Sequence, residues 1–200
     1  HAGNTVDPAI SKFYGDVSER ITAASIHLLF FALELNRVDD AVIERAMAVP
    51  SLDHYRPWIE DLRKDKPYQL EDRVEQLFHE KSVSGYAAWN RQFDQTIAGL
   101  RFKVGGKELA IEPTLTLLQD RTPAKRKAAA PALAKTFKAN ERTFALITNT
   151  LAKDKEISDR WRGFQDIADS RHLANRVERE VVDALVASVR AAYPRLSHRY

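Results

Sequence analysis

Two hundred residues, 44% hydrophobic and 30% charged with only 7 Gly and 8 Pro, form a chain long enough to bury a core and too rich in helix formers to be disordered. The 31 Lys and Arg against 28 Asp and Glu leave a formal charge of +3, and the signs are interleaved, as in Glu60-Asp61-Leu62-Arg63-Lys64-Asp65-Lys66; no nucleic-acid partner is expected, because phosphate binding needs a field of one sign. With no cysteine, disulfides, thiolate chemistry and Cys-ligated metals are excluded, and the most apolar stretch, Ile26 to Leu33, is far short of the roughly 20 residues of a membrane span, so no membrane partner is expected either.

Phe13, Val17, Ile21, Ala24, Leu28, Phe31 and Leu35 step by four and three, which places them on one face of a long helix and predicts that this face is buried. Asp39-Asp40 offers a helix start before Ala41 to Val49, which Pro50 closes because the residue before a proline is pushed out of the α region. Pro57 suits the first turn of a short helix carrying Trp58, Ile59 and Leu62, and Pro67 ends it. Leu70, Val74 and Leu77 share the next face. After Ser82-Val83-Ser84-Gly85 the stripe resumes as Trp89, Phe93, Ile97 and Leu100, and the interruption reads equally as a kink or a loop.

Alternating apolar residues then flank Gly105-Gly106, a pair that supplies the positive φ angles of a two-residue turn, so a β-hairpin is expected near residues 101–112. Thr122-Pro123 gives an N-cap and a proline at the first helical position, and Leu133, Phe137, Phe144, Ile147 and Leu151 extend a stripe beyond it. Pro131, inside that pattern, is expected to bend the helix or delay its start. Asn140 lies between two of its phenylalanines, either as an amide satisfied by a neighbour or as a ligand contact. A last helix carries Val181, Val182, Leu185, Val186 and Val189 and ends at Tyr193-Pro194. With no repeat or linker-like run, the expectation is a mainly α fold: one domain over residues 1–200, a bundle of long amphipathic helices with one hairpin.

Chemistry is scarce. His79-Glu80 begins like H-E-x-x-H, but Val83 stands where the second His belongs, and no other His has a His within five positions, so no metal ligands are assigned. There is no Gly-x-Ser-x-Gly elbow, and Gly105-Gly106 lacks the spacing of a phosphate loop; no catalytic residue is assigned either. Asp39-Asp40 and Glu71-Asp72 sit at helix starts, where they complement the macrodipole. The run from Lys153 to Phe164 reads as a helix end stapled by salt bridges. The start at His1 and the final Pro194 to Tyr200, without a helix-ending Gly or Asn, read as a trimmed product.

Several separated motifs carry a resemblance: Phe102-x-x-Gly105-Gly106-Lys107-Glu108, then Thr114-Leu115-x-Leu117-Leu118-Gln119-Asp120-Arg121 and Arg126-Lys127-x-Ala129, and also Leu28 to Asn36, Arg162-Gly163-Phe164 and Tyr193-Pro194-x-Leu196-x-His198-Arg199-Tyr200. In order and spacing they resemble the N-terminal region of the oligoendopeptidase F branch of the thimet-type zinc metallopeptidases. The pattern departs at Gly106, where the family more often pairs an acidic residue with one Gly, and at Pro131. The resemblance implies a helical N-terminal domain of a cytoplasmic enzyme, forming one wall of a deep channel that admits short unfolded peptides. It implies zinc in the complete enzyme and none in this segment, since the zinc helix, its third carboxylate ligand and the catalytic His and Tyr lie in a downstream domain. That domain and short peptides are the implied partners. Gly105, Arg162 and Phe164 are the candidate channel-wall residues, because loop and polar-aromatic segments face ligands more often than helix stripes do. The alternative is a free-standing helical interaction module whose grooves bind a partner helix.

Overall fold

A computed structural model describes residues 7–199, so the terminal features at His1 and Tyr200 lie outside the described residues. Helix α1 (Pro8–Ser25) begins where the Asp7 carboxylate accepts from the N–H groups of Ala9 and Ile10 at 2.8 and 3.2 Å. The long first helix is then interrupted by a 3₁₀ turn (Ile26–Leu28) before α2 (Leu29–Arg37). Asp39 caps α3 (Asp40–Met47) by accepting from Ala41 N–H at 2.8 Å, and the helix stops two residues before Val49. Next come α4 (Arg56–Arg63), with Pro57 in its first turn, α5 (Asp72–Lys81) and α6 (Tyr86–Gly99). The interruption between the last two is a turn, in which Gly85 N–H donates back to the Lys81 carbonyl at 2.7 Å.

Strands β1 (Phe102–Val104) and β2 (Lys107–Leu109) pair antiparallel with Phe102 opposite Leu109 and Val104 opposite Lys107. The remaining helices are α7 (Ile111–Leu117), α8 (Pro123–Ala139), α9 (Glu141–Arg162), α10 (Asp169–Ala174) and α11 (Arg179–Ala192). The fold is mainly α with one hairpin. Thr122 occupies the predicted cap position of α8 without a side-chain capping bond; instead its own N–H donates to Asp120 Oδ1 at 2.8 Å. Pro131 is accommodated inside α8. The break in that stripe falls at Asn140, whose Nδ2 donates to the Thr136 carbonyl at 2.9 Å, so the amide is satisfied by its own chain.

The described residues form two compact units, one from residues 7–27 and 76–155, the other from residues 28–75 and 156–199. In the first, Leu100, Phe102 and Leu133 form a buried cluster against Ile97, Ile111, Phe137 and Phe144. The hairpin delivers Phe102 to this cluster because its turn is tight: Gly105 and Gly106 have φ of +58° and +80°, the left-handed pair that a right-twisted hairpin needs. A Cβ at either glycine would meet nothing within 4 Å, so the cost of substitution is backbone alone. Gly106→Ala is therefore expected to destabilise the chain by about 1–2 kcal/mol, read as a lower urea midpoint at unchanged slope.

In the second unit, Ile43, Met47 and Ile59 are buried with Leu35, Val38 and Ala46 packed on them. Arg63 ties these helices together, donating to the carbonyls of Leu35 and Val38 at 2.9 and 2.8 Å and pairing with Asp40. Two free carbonyls at the end of α2 are thereby satisfied.

The predicted burial of the first stripe is not what the structure shows. Phe13, Ile21, Leu28 and Phe31 are 70%, 62%, 69% and 56% exposed, and on α11 Val181, Leu185, Val186 and Val189 are exposed as well. Periodicity says which face of a helix wants cover; it does not say that the cover lies within the same chain segment.

Candidate functional site

A partly buried polar arrangement lies in the second unit, at the end of α9. That helix ends in a Schellman motif: Phe164 N–H donates to the Asp159 carbonyl at 3.0 Å and Gly163 N–H to the Arg160 carbonyl at 3.2 Å, with Gly163 at φ +80°. The motif turns the chain so that Phe164 stacks on Tyr68, ring centroids 4.0 Å apart and planes 17° off parallel. Arg162, the last helical residue, reaches Glu75 in the first turn of α5 with two parallel bonds of 2.7 and 2.8 Å, and donates also to the Tyr68 carbonyl at 3.1 Å. The predicted stapling of this helix end is present, and Arg160 adds an i,i+4 pair with Glu156 at 3.0 Å.

The Glu75–Arg162 pair is mostly buried, with side-chain exposures of 13% and 25%. Burial pushes the Glu75 carboxyl upward, but the Arg162 hydrogen bonds, the Leu70 N–H at 2.9 Å and the Arg162 charge together outweigh it and hold the acid below its ordinary value. The bond to Glu75 likewise keeps Arg162 charged.

Beside this pair is a cavity of about 320 Å³ whose lining includes Asn36, Asp65, Tyr68, Gln69, Glu75 and Arg162, with Phe164 and leucine side chains completing the wall. Asn36 is 4% exposed. Its Oδ1 and the Oε1 of Gln69 are, among the described residues, the buried side-chain oxygens or nitrogens that lack a hydrogen-bond partner. A buried acceptor without a donor costs about 1–3 kcal/mol, so two at one cavity call for a reason. Gln69 is oriented by its own Nε2, which donates to the Leu33 carbonyl at 3.2 Å.

Of the three residues singled out in the sequence, Arg162 and Phe164 come together at this cavity. Gly105 stands in the hairpin turn of the other unit and is not among the cavity's lining. Asn36, Tyr68, Gln69 and Glu75 carry no local signal that sequence reading could use, since each matters through a partner distant in the chain. Gly163 did carry one, as a glycine inside the run from Lys153 to Phe164 that reads as a helix end. His79, the start of the failed zinc motif, lies 2.7 Å from Ser25 Oγ and 3.3 Å from the Thr22 carbonyl, a bridge between helices of the first unit. Among the described residues no three His, Asp or Glu side chains converge to hold a metal ion. No single described helix is long and apolar enough to cross a membrane.

A family model described as oligopeptidase F matches residues 34–102. In fold, the chain is similar to the crystal structure of oligoendopeptidase-F from Enterococcus faecium, with a TM-score of 0.82 and 21% identity over 95% of this chain. The chain spans 39% of the length of that protein. A comparison with curated protein sequences gives no match. By sequence over residues 34–102, and by fold over nearly its whole length, this chain is similar to the N-terminal part of oligoendopeptidase F.

Proposed function

We propose that these residues act as one N-terminal domain that shapes the substrate channel of a zinc-dependent, cytoplasmic oligoendopeptidase hydrolysing short peptides. The observation that carries this reading is the fold match, which covers almost all of this chain but well under half of the matched oligoendopeptidase. The apolar faces left open on α1 and α11 agree with it, because exposed stripes of this kind are covered when further chain packs on them. On this reading the zinc ligands lie in a downstream domain, where the metal would supply Lewis-acid activation of water. This chain's own part is to bind and orient peptide, with Arg162 and Phe164 at the cavity and Gly105 in the hairpin turn as the channel-wall contacts.

The 200 residues alone, with zinc added, are expected to cleave no quenched fluorescent peptide and to bind no stoichiometric zinc. The reading frame beyond Tyr200 is expected to encode H-E-x-x-H within about a few hundred codons, the spacing motif of a zinc helix. Zinc-loaded peptidase activity of the isolated chain overturns the reading. An early stop codon overturns it too, and leaves the same open faces of α1 and α11 to the second reading, a helical module that binds a partner helix.

A further inference from the structure

The geometry points to a binding site in the second-unit cavity for a small primary ammonium carrying an apolar group, with Asn36 Oδ1 and Gln69 Oε1 as its acceptors. This holds whatever reaction the chain serves. Both oxygens are buried without a partner, and both residues line the same cavity. Two orphaned acceptors at one cavity specify a ligand made of donors. An ammonium offers three N–H bonds and no lone pair, so every polar atom it brings can be matched.

The charged groups at the lining are already paired: Arg162 is committed to Glu75 through both nitrogens and Arg176 to Asp65, so among the described residues the wall offers an anion no uncommitted cation. Asp65 is held at 3.2 Å by two nitrogens of Arg176, which fixes a carboxylate at the cavity wall without filling all its lone pairs. Leu33, Leu62 and Leu173 supply the apolar flank that holds the ligand's carbon skeleton. A volume of 320 Å³ stands at the small end of the about 300–1,000 Å³ typical of ligand pockets, which limits the occupant to a compact amine.

Both oxygens are buried from the surface. Asn36 meets an entering donor by turning about its terminal torsion, a broad two-fold rotation with no deep wells. The Nε2 bond to the Leu33 carbonyl fixes which end of the Gln69 amide is the acceptor.

The test is a titration of the ¹⁵N-labelled 200-residue chain with phenethylamine, with phenylacetate as the anionic counterpart at matched ionic strength. The side-chain NH₂ resonances of Asn36 and Gln69, assigned from the Asn36→Leu and Gln69→Met variants, are followed. Saturable shifts of these signals with the amine and none with the acid are expected. Gln69→Met, at a half-buried position, is expected to keep the fold and weaken amine binding by about tenfold, the loss of one hydrogen bond of about 1.4 kcal/mol. Asn36→Leu is expected to weaken it at least as much. Shifts that never saturate, equal shifts with phenylacetate, or unchanged affinity in folded Gln69→Met each overturn the proposal, as does a cavity that holds exchange-protected water and admits no amine.

Discussion

Phe102→Ala is expected to remove about 3–5 kcal/mol of stability, the range for truncating a fully buried phenylalanine where neighbours cannot collapse into the space. Phe102 is 0% exposed, and it begins a chain of edge-to-face rings: Phe137 at 5.5 Å, Phe144 at 6.0 Å from Phe137, and Phe93 at 5.9 Å from Phe144. Those rings come from the hairpin and from α8, α9 and α6, so the cavity left by Ala lies where four segments of the first unit meet. Collapse into it would require several backbones to move together, and close-packed interiors resist that. The check is the urea midpoint by circular dichroism, with Phe102→Leu expected to fall between wild type and Ala. A loss under about 1 kcal/mol would show that the hairpin is peripheral to this core rather than part of it.

The second large effect concerns Glu75 and Arg162. Arg162→Ala leaves Glu75 mostly buried with the Leu70 N–H as its remaining described bond, and about 2–3 kcal/mol of stability is expected to be lost. That is less than the about 3–5 kcal/mol typical of a fully buried pair, because Arg162 is 25% exposed and water replaces part of its contact. The joint replacement Glu75→Gln with Arg162→Met is expected to cost less than Arg162→Ala alone, since no uncompensated charge remains. The pair also sets an acid dependence. The folded-state pKa of Glu75 lies below its ordinary 4.5, so the unfolded chain takes up the proton first. Its contribution is therefore complete above that value and is lost as the pH falls through the lower, folded one. Urea midpoints between neutral pH and the acid range are expected to fall less steeply for Glu75→Gln than for wild type; parallel curves would sink this assignment.

Much of the fold was legible because it is local. Asp39 caps α3, Pro57 opens α4, and Gly105-Gly106 closes the hairpin, all for reasons contained within a few neighbouring residues. Breaks were less legible. The 3₁₀ turn at Ile26 to Leu28 and the helix end at Asn140 interrupt stripes whose apolar spacing continues through them, and spacing alone cannot report a change in helix direction. At the site, Arg162-Gly163-Phe164 stood out as a polar-aromatic step. The carboxylate that Arg162 meets lies 87 residues earlier in the chain and looked like any other acid at a helix start.

By itself the amino-acid sequence determined the helical class, the hairpin, the helix starts at Asp39, Pro57 and Thr122-Pro123 and the oligoendopeptidase F resemblance, since capping, turn chemistry and motif order are short-range properties of the chain. Only the tertiary structure decided which apolar faces are covered. It leaves Phe13 and Leu185 open while sealing Phe102, because burial depends on what other segments bring to a face. It alone, too, joined Arg162 to Glu75, stacked Phe164 on Tyr68 and left the oxygens of Asn36 and Gln69 without donors beside one cavity. Hydrogen-bond satisfaction is a property of three-dimensional neighbours, which a linear pattern does not encode.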